Sequence, residues 1–154
     1  MKRTLLALSL VTTVSLAAVD VDALWNYADP AASESRFREA LKEAKADDAL
    51  ILRTQVARTL GLRNRFEEAR SELDGVEAQA AAAGVEVRVR LALERGRWLR
   101  SSGRPADSVA LFERAFGQAD AAGLERLAAD ALHMVALAVP ALDDRIAWNR
   151  CTID

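Results

Sequence analysis

Residues 91–123 read LALERGRWLRSSGRPADSVALFERAFGQADAAG, a pattern typical of two helices joined by one tight turn. Gly103 stops the first helix, because glycine tolerates the backbone conformation that ends a helix, and Pro105 begins the second. Apolar side chains at Val109, Phe112 and Phe116 recur at the spacing of one helix face. No segment of the chain alternates with a sustained two-residue period, so the sequence predicts an all-α fold.

The chain repeats this pattern with an offset of 39 residues. The equivalent positions are Ala57 and Gly96, Leu60 and Leu99, Asn64 and Gly103, Leu73 and Phe112, and Gly84 and Gly123. Asparagine and glycine both tolerate a positive φ, so Asn64 and Gly103 predict equivalent helix-ending turns. A fixed period of this length with helix–turn–helix content is the signature of an α-solenoid.

The repeat and its turns predict about seven helices after the N-terminal segment. The predicted helices cover residues 30–45, 49–62, 66–83, 87–102, 106–122 and 125–139, and a seventh begins near Asp143. Asp29 and Pro30 form a helix start, since Asp accepts hydrogen bonds from free N–H groups and Pro fits the first turn. We expect Asp47 and Asp48 to cap the second helix, and Gly84 to end the third in a left-handed conformation.

At these positions the chain resembles the tetratricopeptide repeat family. That family places a small residue midway along the first helix of each repeat, then a large residue and a glycine, and aromatic and small residues on the second helix. The later copy matches at Gly96, Leu99, Gly103, Phe112 and Ala115, and the earlier copy at Ala57, Leu60, Asn64, Phe66, Ala69, Leu73 and Val76. The later copy departs at Pro105 and Ser108, and the period is about five residues longer than the usual ~34.

The resemblance implies one domain over residues 19–154, built of antiparallel helical hairpins stacked as an α-solenoid. It would contain a half-repeat or cap at 29–46, repeats at 49–84 and 87–123, and an incomplete repeat at 125–154. Solenoid ends normally need a polar cap. Two explanations for the incomplete repeat stay open: a truncated member of a longer family, which the sequence favours, or self-association through this end.

Residues 1–18 have the parts of a secretory signal, with Lys2 and Arg3 before an apolar run and small residues at the end. This run is too short for a stable membrane span. The alternative is a non-functional extension, with the true start near Val19 or Val21. The first interpretation predicts export to the periplasm, and the second predicts a cytoplasmic protein.

Composition excludes several classes of function. Basic and acidic residues nearly balance, 21 against 23, which argues against a general nucleic-acid binder. The single cysteine, Cys151, excludes an internal disulfide and a cysteine-based zinc site. Neither a glycine-rich phosphate loop nor a metal-ligand cluster is present, so we predict no cofactor and no metal.

The resemblance places the candidate site on the first helices of the repeats, which line a concave groove in that family. Arg58 and Arg97 are equivalent in the 39-residue register, and Arg90, Glu94 and Arg97 follow helical spacing. Two arginines in one groove could hold a peptide carboxylate or an acidic side chain. The alternative is ordinary surface arginines paired with Glu68, Glu72 or Glu94.

The sequence also predicts packing roles for Gly96 and for the apolar residues before the first helix. Gly96 stands inside a predicted helix, where glycine costs about 1 kcal/mol relative to alanine. We therefore expect close approach of the partner helix at Gly96. Leu24, Trp25 and Tyr27 are expected to form a hydrophobic lid on the first helix.

Three hypotheses of function remain. The leading one is a non-catalytic scaffold that binds another protein or peptide, with an acidic ligand favoured by the arginines. The second is a regulatory or accessory helical domain of a longer enzyme or signalling protein. The least favoured is a hydrolase that pairs His133 with Cys151, because no nucleophile lies at helical spacing from His133. The apolar neighbours of His133 predict instead a partly buried packing histidine.

Overall fold

The computed structural model describes residues 19–139, and this part of the chain is all helical, with 79% of its residues in helices and no strand. Its helices are α1 (Val21–Leu24), α2 (Pro30–Ala40), α3 (Ala46–Leu62), α4 (Phe66–Ala80), α5 (Val85–Ser101), α6 (Pro105–Ala121) and α7 (Glu125–Ala138). The all-α prediction is confirmed for these residues. α1 was not expected as a helix, and the helix expected near Asp143 lies outside the described residues. Between residues 19 and 139, no helix is both long and apolar enough to cross a membrane.

The helices follow the 39-residue period of the sequence. α5 begins 39 residues after α3, and α6 begins 39 residues after α4. Each of α2 to α6 packs on the next helix along the chain, α3 also packs on α5, and α5 packs on α7. Neighbouring helices run antiparallel: Trp98, near the end of α5, donates its indole N–H to the carbonyl of Phe66 at the start of α4, at 2.9 Å. The first helices of successive hairpins therefore lie side by side.

Three turns repeat the same backbone geometry. Asn64, Gly103 and Gly123 have φ values of 60°, 88° and 67°, which confirms the positive φ predicted for Asn64 and Gly103 and gives the same conformation at Gly123. In each turn, the backbone N–H of the residue that follows the positive-φ residue donates a hydrogen bond to a carbonyl near the end of the preceding helix. The three hydrogen bonds run from Arg65 to Leu60, from Arg104 to Leu99 and from Leu124 to Ala119, each at 2.9 Å. This pattern satisfies carbonyls that a helix end otherwise leaves free.

Gly84 does not end a helix in the left-handed conformation, so that prediction was wrong. α4 already ends at Ala80, and Gly84 has an extended backbone with φ −63°. Its N–H donates to Asp47 Oδ2 at 2.8 Å, and a Cβ at this position would lie 2.6 Å from the same oxygen. Gly84 is thus explained by close approach of a carboxylate from α3.

Other helix bounds also differ from the prediction. α2 ends at Ala40 rather than at Lys45, because residues 41–43 form a turn. α3 begins at Ala46 rather than at Ala49, which places Asp47 and Asp48 inside its first turn, where neither caps the helix.

The core has one centre on each side of α5. Phe37 and Leu60 belong to the part formed by α2, α3 and α4, and Phe112 belongs to the part formed by α5, α6 and α7. Trp25 is buried against Phe37, with ring centroids 5.2 Å apart in an edge-to-face arrangement. The lid prediction holds for Trp25, whereas Tyr27 is 63% exposed.

Gly96 of α5 faces the ring of Phe112 of α6, with no room for a side chain between them. A Cβ built on Gly96 would lie 2.4 Å from Cε1 of Phe112, which is fully buried. The close approach predicted for Gly96 is therefore confirmed.

Gly96→Leu is expected to lower the free energy of unfolding by about 1–3 kcal/mol, because the ring of Phe112 must move in a filled core. Thermal unfolding measures the loss. Gly117→Leu is the matched control, since Gly117 lies in α6 with open space around it. Equal stability of the two variants would contradict the packing role.

Candidate functional site

A cavity of about 500 Å³ lies along the first helices of the hairpins. We call it the outer cavity. Its walls come from α1 and the loop after it, from α3, from α5 and from α7. The side chains that matter most for its chemistry are Trp25, Tyr27, Gln55, Arg58, Arg90 and Asp130.

An aromatic wall holds Arg58 in place. The rings of Trp25 and Tyr27 are stacked in parallel with centroids 4.8 Å apart. Trp25 donates its indole N–H to Gln55 Oε1 at 3.0 Å, which fixes the orientation of the ring. The guanidinium carbon of Arg58 lies 5.4 Å from the centre of Trp25 and 5.8 Å from that of Tyr27. These are cation–π distances, so the positive charge faces the two rings.

The N-terminal segment borders the outer cavity and contacts two of its other walls. Asp22 in α1 forms an ion pair with Arg126 in α7, two residues that are 104 positions apart in the chain. The amide of Val19 also donates to Asp48 Oδ1 of α3 at 3.4 Å. The segment from Val19 to Asp22 therefore contacts both α3 and α7.

A second, smaller cavity of about 200 Å³ lies next to the outer one, and we call it the inner pocket. It is formed by α3, α5 and α7. Its apolar lining comes from Ala57, Gly61, Leu62, Trp98 and Met134, and its charged lining from Arg58, Glu94, Arg97 and Arg100. Arg58 borders both cavities.

A charge network crosses α3, α5 and α7 beside the inner pocket. Glu94 Oε1 accepts a hydrogen bond from Arg97 Nη1 at 2.6 Å and lies 3.7 Å from Arg58 Nη1. Arg97 Nη2 also donates to Asp130 Oδ2 at 2.6 Å. Burial by itself lowers the pKa of Arg97, but the charges of Glu94 and Asp130 and their hydrogen bonds raise this pKa above its ordinary value.

Two polar atoms in this network have no hydrogen-bond partner. They are Nε of Arg58 and Oε2 of Glu94, and both are buried. The side chain of Glu94 is only 3% exposed. A buried polar group without a partner costs free energy, so these two atoms mark the place where the network is incomplete.

The four arginine and glutamate residues predicted for the groove are divided between the two cavities. Arg58 and Arg97 both face Glu94, whereas Arg90 lines the outer cavity and pairs with Glu86 at 2.8 Å. Arg97 is paired with Glu94 and Asp130. The pairing with Glu94 agrees with the alternative interpretation, in which these arginines pair with glutamates of the chain. Among residues 19–139, Arg58 is the arginine of the outer cavity that has no carboxylate within hydrogen-bond distance.

The other candidate residues do not join this site. His133 is exposed on α7, so the expected partly buried packing role was wrong, and it lines neither cavity. Cys151 lies outside the described residues. Glu68 pairs with Arg65 and Glu72 with Arg53, so neither of these glutamates faces Arg58 or Arg97. Within 19–139 there is no group of three or more side chains that could hold a metal ion.

Gln55 and Asp130 are site residues that sequence reasoning missed. Gln55 is a polar side chain on the buried side of α3, next to Val56, and such a residue needs a hydrogen-bond partner. Its position among apolar neighbours was a usable signal. Asp130 gave no such signal, because its partner Arg97 is 33 residues away on another helix.

The chain matches no protein-family model, no curated protein and no solved structure. The likeness to tetratricopeptide repeats therefore rests on the repeat positions and turns of this chain.

Proposed function

We propose that this chain is a non-catalytic scaffold of tetratricopeptide-like repeats that binds a protein or peptide in the outer cavity. Three features support the proposal: the 39-residue spacing of helices, the side-by-side packing of α3, α5 and α7, and a cavity along these helices. Concave sites of this size are where proteins usually bind ligands.

The observation that carries the proposal is that Arg58 has no carboxylate within hydrogen-bond distance. Arg90 and Arg126 also line the outer cavity, but each is paired with a carboxylate of the chain. Arg58 instead lies over two aromatic rings, with its nearest carboxylate oxygen 3.7 Å away. An acidic side chain or a terminal carboxylate of a peptide would complete the hydrogen bonds of this guanidinium. The rings of Trp25 and Tyr27 offer apolar contact beside it.

A peptide library displayed on phage and selected against the full chain tests this proposal. We expect selected peptides to carry an acidic residue, and Arg58→Ala to weaken their binding by roughly tenfold to a hundredfold, the range of an interface hot spot. Fluorescence anisotropy with labelled peptides measures the affinity. Arg114→Ala is the matched control, because Arg114 is an exposed arginine on α6 and lines neither cavity.

Two results would contradict the proposal. One is the absence of any selected peptide that binds the purified chain. The other is an equal affinity of Arg58→Ala, Arg114→Ala and the unchanged chain, which would place the bound peptide elsewhere. Circular dichroism of each variant checks that the helices are retained.

A further inference from the structure

The outer cavity and the inner pocket are lined by the same stripe of side chains on α5 and on α7. On α5 this stripe contains Glu86, Arg90, Glu94, Arg97 and Ser101, and on α7 it contains Leu127, Asp130 and Met134. Successive members are three or four positions apart, and residues with this spacing share one face of a helix. The two cavities are therefore consecutive parts of one groove, which we call the long groove.

The long groove has the length of a short extended peptide. It follows α5 from Glu86, in the first turn, to Ser101, the last residue of the helix. These residues are 15 positions apart, which corresponds to about 22 Å at a rise of about 1.5 Å per residue. An extended chain covers this distance with about six or seven residues. Glu94 is buried and Arg97 is mostly buried, so the charge network lies in the floor of the groove and leaves this path open.

Most charged residues of the long groove are already paired within the chain. The pairs are Asp22 with Arg126, Glu86 with Arg90, and Arg97 with both Glu94 and Asp130. In the part of the chain that the structure describes, the other lining charges have no hydrogen bond to an opposite charge, and they are Arg58, Arg100 and Glu125. These three residues are therefore the ones that a charged ligand can use.

The three available charges are ordered along the groove. Glu125 lines the outer cavity as the first residue of α7, and Arg100 lines the inner pocket from the last turn of α5. Because α5 and α7 are both first helices and run in the same direction, these two residues lie at opposite ends of the groove. Arg58 lies between them, where it borders both cavities. Of its guanidinium nitrogens only Nε is buried without a partner, so a ligand meets the terminal nitrogens.

The inner pocket adds apolar surface next to Arg100. This surface is provided by Ala57, Gly61, Leu62, Trp98 and Met134. The volume of about 200 Å³ accommodates one side chain. Leu62 is 55% exposed, so an apolar side chain in this pocket would remove apolar surface from water on both partners.

We propose that the long groove binds an extended peptide segment and selects it by the order of its charges. A basic residue pairs with Glu125, and an acidic residue near the middle pairs with Arg58. An apolar residue enters the inner pocket, beside a second acidic residue that pairs with Arg100. The order matters because interchanging the end charges would bring like charges together at both ends of the groove. This inference rests on the proposed function, since it assigns further side chains of the peptide that Arg58 holds.

Two synthetic heptapeptides test the inference on the full chain. The matched probe has lysine at its start, aspartate in the middle, and leucine followed by glutamate at its end, with glycine or serine elsewhere. The exchanged probe has the lysine and the glutamate interchanged, so both probes have the same composition and net charge. Blocked termini and a neutral fluorophore add no other charge. By fluorescence anisotropy at low salt, we expect the exchanged probe to bind roughly fivefold to fiftyfold more weakly than the matched probe.

A double variant should invert this preference. Glu125→Lys combined with Arg100→Glu interchanges the charges at the two ends of the groove, so this protein should prefer the exchanged probe. Glu125 and Arg100 are exposed, and circular dichroism checks that the helices are retained. The matched control is Glu113→Lys combined with Arg114→Glu, because these exposed neighbours on α6 line neither cavity. The control protein should keep the original preference.

Gly61→Leu tests the place of the apolar residue. Gly61 lines the inner pocket and has no atom within 4 Å of an added Cβ, so a leucine side chain fits there and fills the pocket. We expect Gly61→Leu to weaken the matched probe roughly tenfold, but to change little the affinity of a probe in which alanine replaces the leucine. Gly117→Leu on α6 should leave the affinity of both probes unchanged.

The results separate this inference from the proposed function. If selected peptides bind through Arg58 but the matched and exchanged probes have equal affinity, the inference is wrong and the proposed function stands. A preference that survives the double variant, or an effect of Gly61→Leu that does not depend on leucine in the probe, overturns the inference as well. If the probes behave as expected but bind Arg58→Ala as tightly as the unchanged chain, the ends of the groove read the charge order and the role proposed for Arg58 is wrong.

Discussion

Arg97→Ala is expected to lower the free energy of unfolding by about 3–5 kcal/mol, the usual cost of breaking a buried ion pair from one side. Arg97 is hydrogen-bonded to Glu94 of its own helix and to Asp130 of α7. Its removal leaves the carboxylate of Glu94, which is 3% exposed, with Arg58 at 3.7 Å as the nearest cation. Urea unfolding followed by circular dichroism measures the change.

Arg104→Ala is the matched control for this prediction. Arg104 is 60% exposed and pairs with Asp107 three residues later, and such surface pairs contribute about 0–1 kcal/mol. If Arg97→Ala destabilises no more than Arg104→Ala, the network across α3, α5 and α7 does not stabilise the fold.

Phe112→Ala is expected to cost about 3–5 kcal/mol, because a fully buried ring leaves a cavity that the helices fill only in part. The contact with Gly96 provides a second test of the same geometry. Since the ring lies against the position of a missing Cβ, Gly96→Leu should harm the unchanged protein but restore part of the stability lost in Phe112→Ala. Thermal and urea unfolding of the two single variants and the double variant give the coupling. Losses that simply add would show that the side chain introduced by Gly96→Leu does not enter the space of the ring.

The turns of the fold could be predicted from the sequence because their cause is local. Asn64, Gly103 and Gly123 are residues that adopt positive φ at low cost, and each follows a run of helix-forming residues. The same holds for the start of α2, where the side chain of Asp29 accepts from the N–H of Ala32 at 3.0 Å. Local signals of this kind placed the helices to within a few residues.

The predictions for Gly84 and His133 were wrong for different reasons. Gly84 looked like a helix-ending glycine, but its role comes from Asp47, which is 37 positions earlier in the chain. His133 has apolar neighbours in sequence, yet it lies on the exposed side of α7, where the register of the helix and not its neighbours decides burial. The contact between Gly84 and Asp47 is not encoded in spacing along one helix, whereas the exposure of His133 follows from the register of α7.

The candidate site could be predicted in part. The register placed Arg58 and Arg97 on equivalent helix positions, and the three-residue spacing of Glu94 and Arg97 agrees with their hydrogen bond. The division into two cavities depends on how α3, α5 and α7 pack, and on the placement of Trp25 over Gln55. Tertiary geometry of this kind has no periodic signature in the sequence.

The ion pair between Asp22 and Arg126 has a consequence for the order of folding. Most packing in residues 30–138 joins helices that are adjacent or next to adjacent in the chain, an arrangement that favours rapid, sequential folding. The Asp22–Arg126 contact spans 104 positions and forms only when α3, α5 and α7 are already in place. We therefore expect α1 to dock onto α7 last during folding and to detach from it first under mild denaturation, which makes the outer cavity the latest part of the fold to be completed.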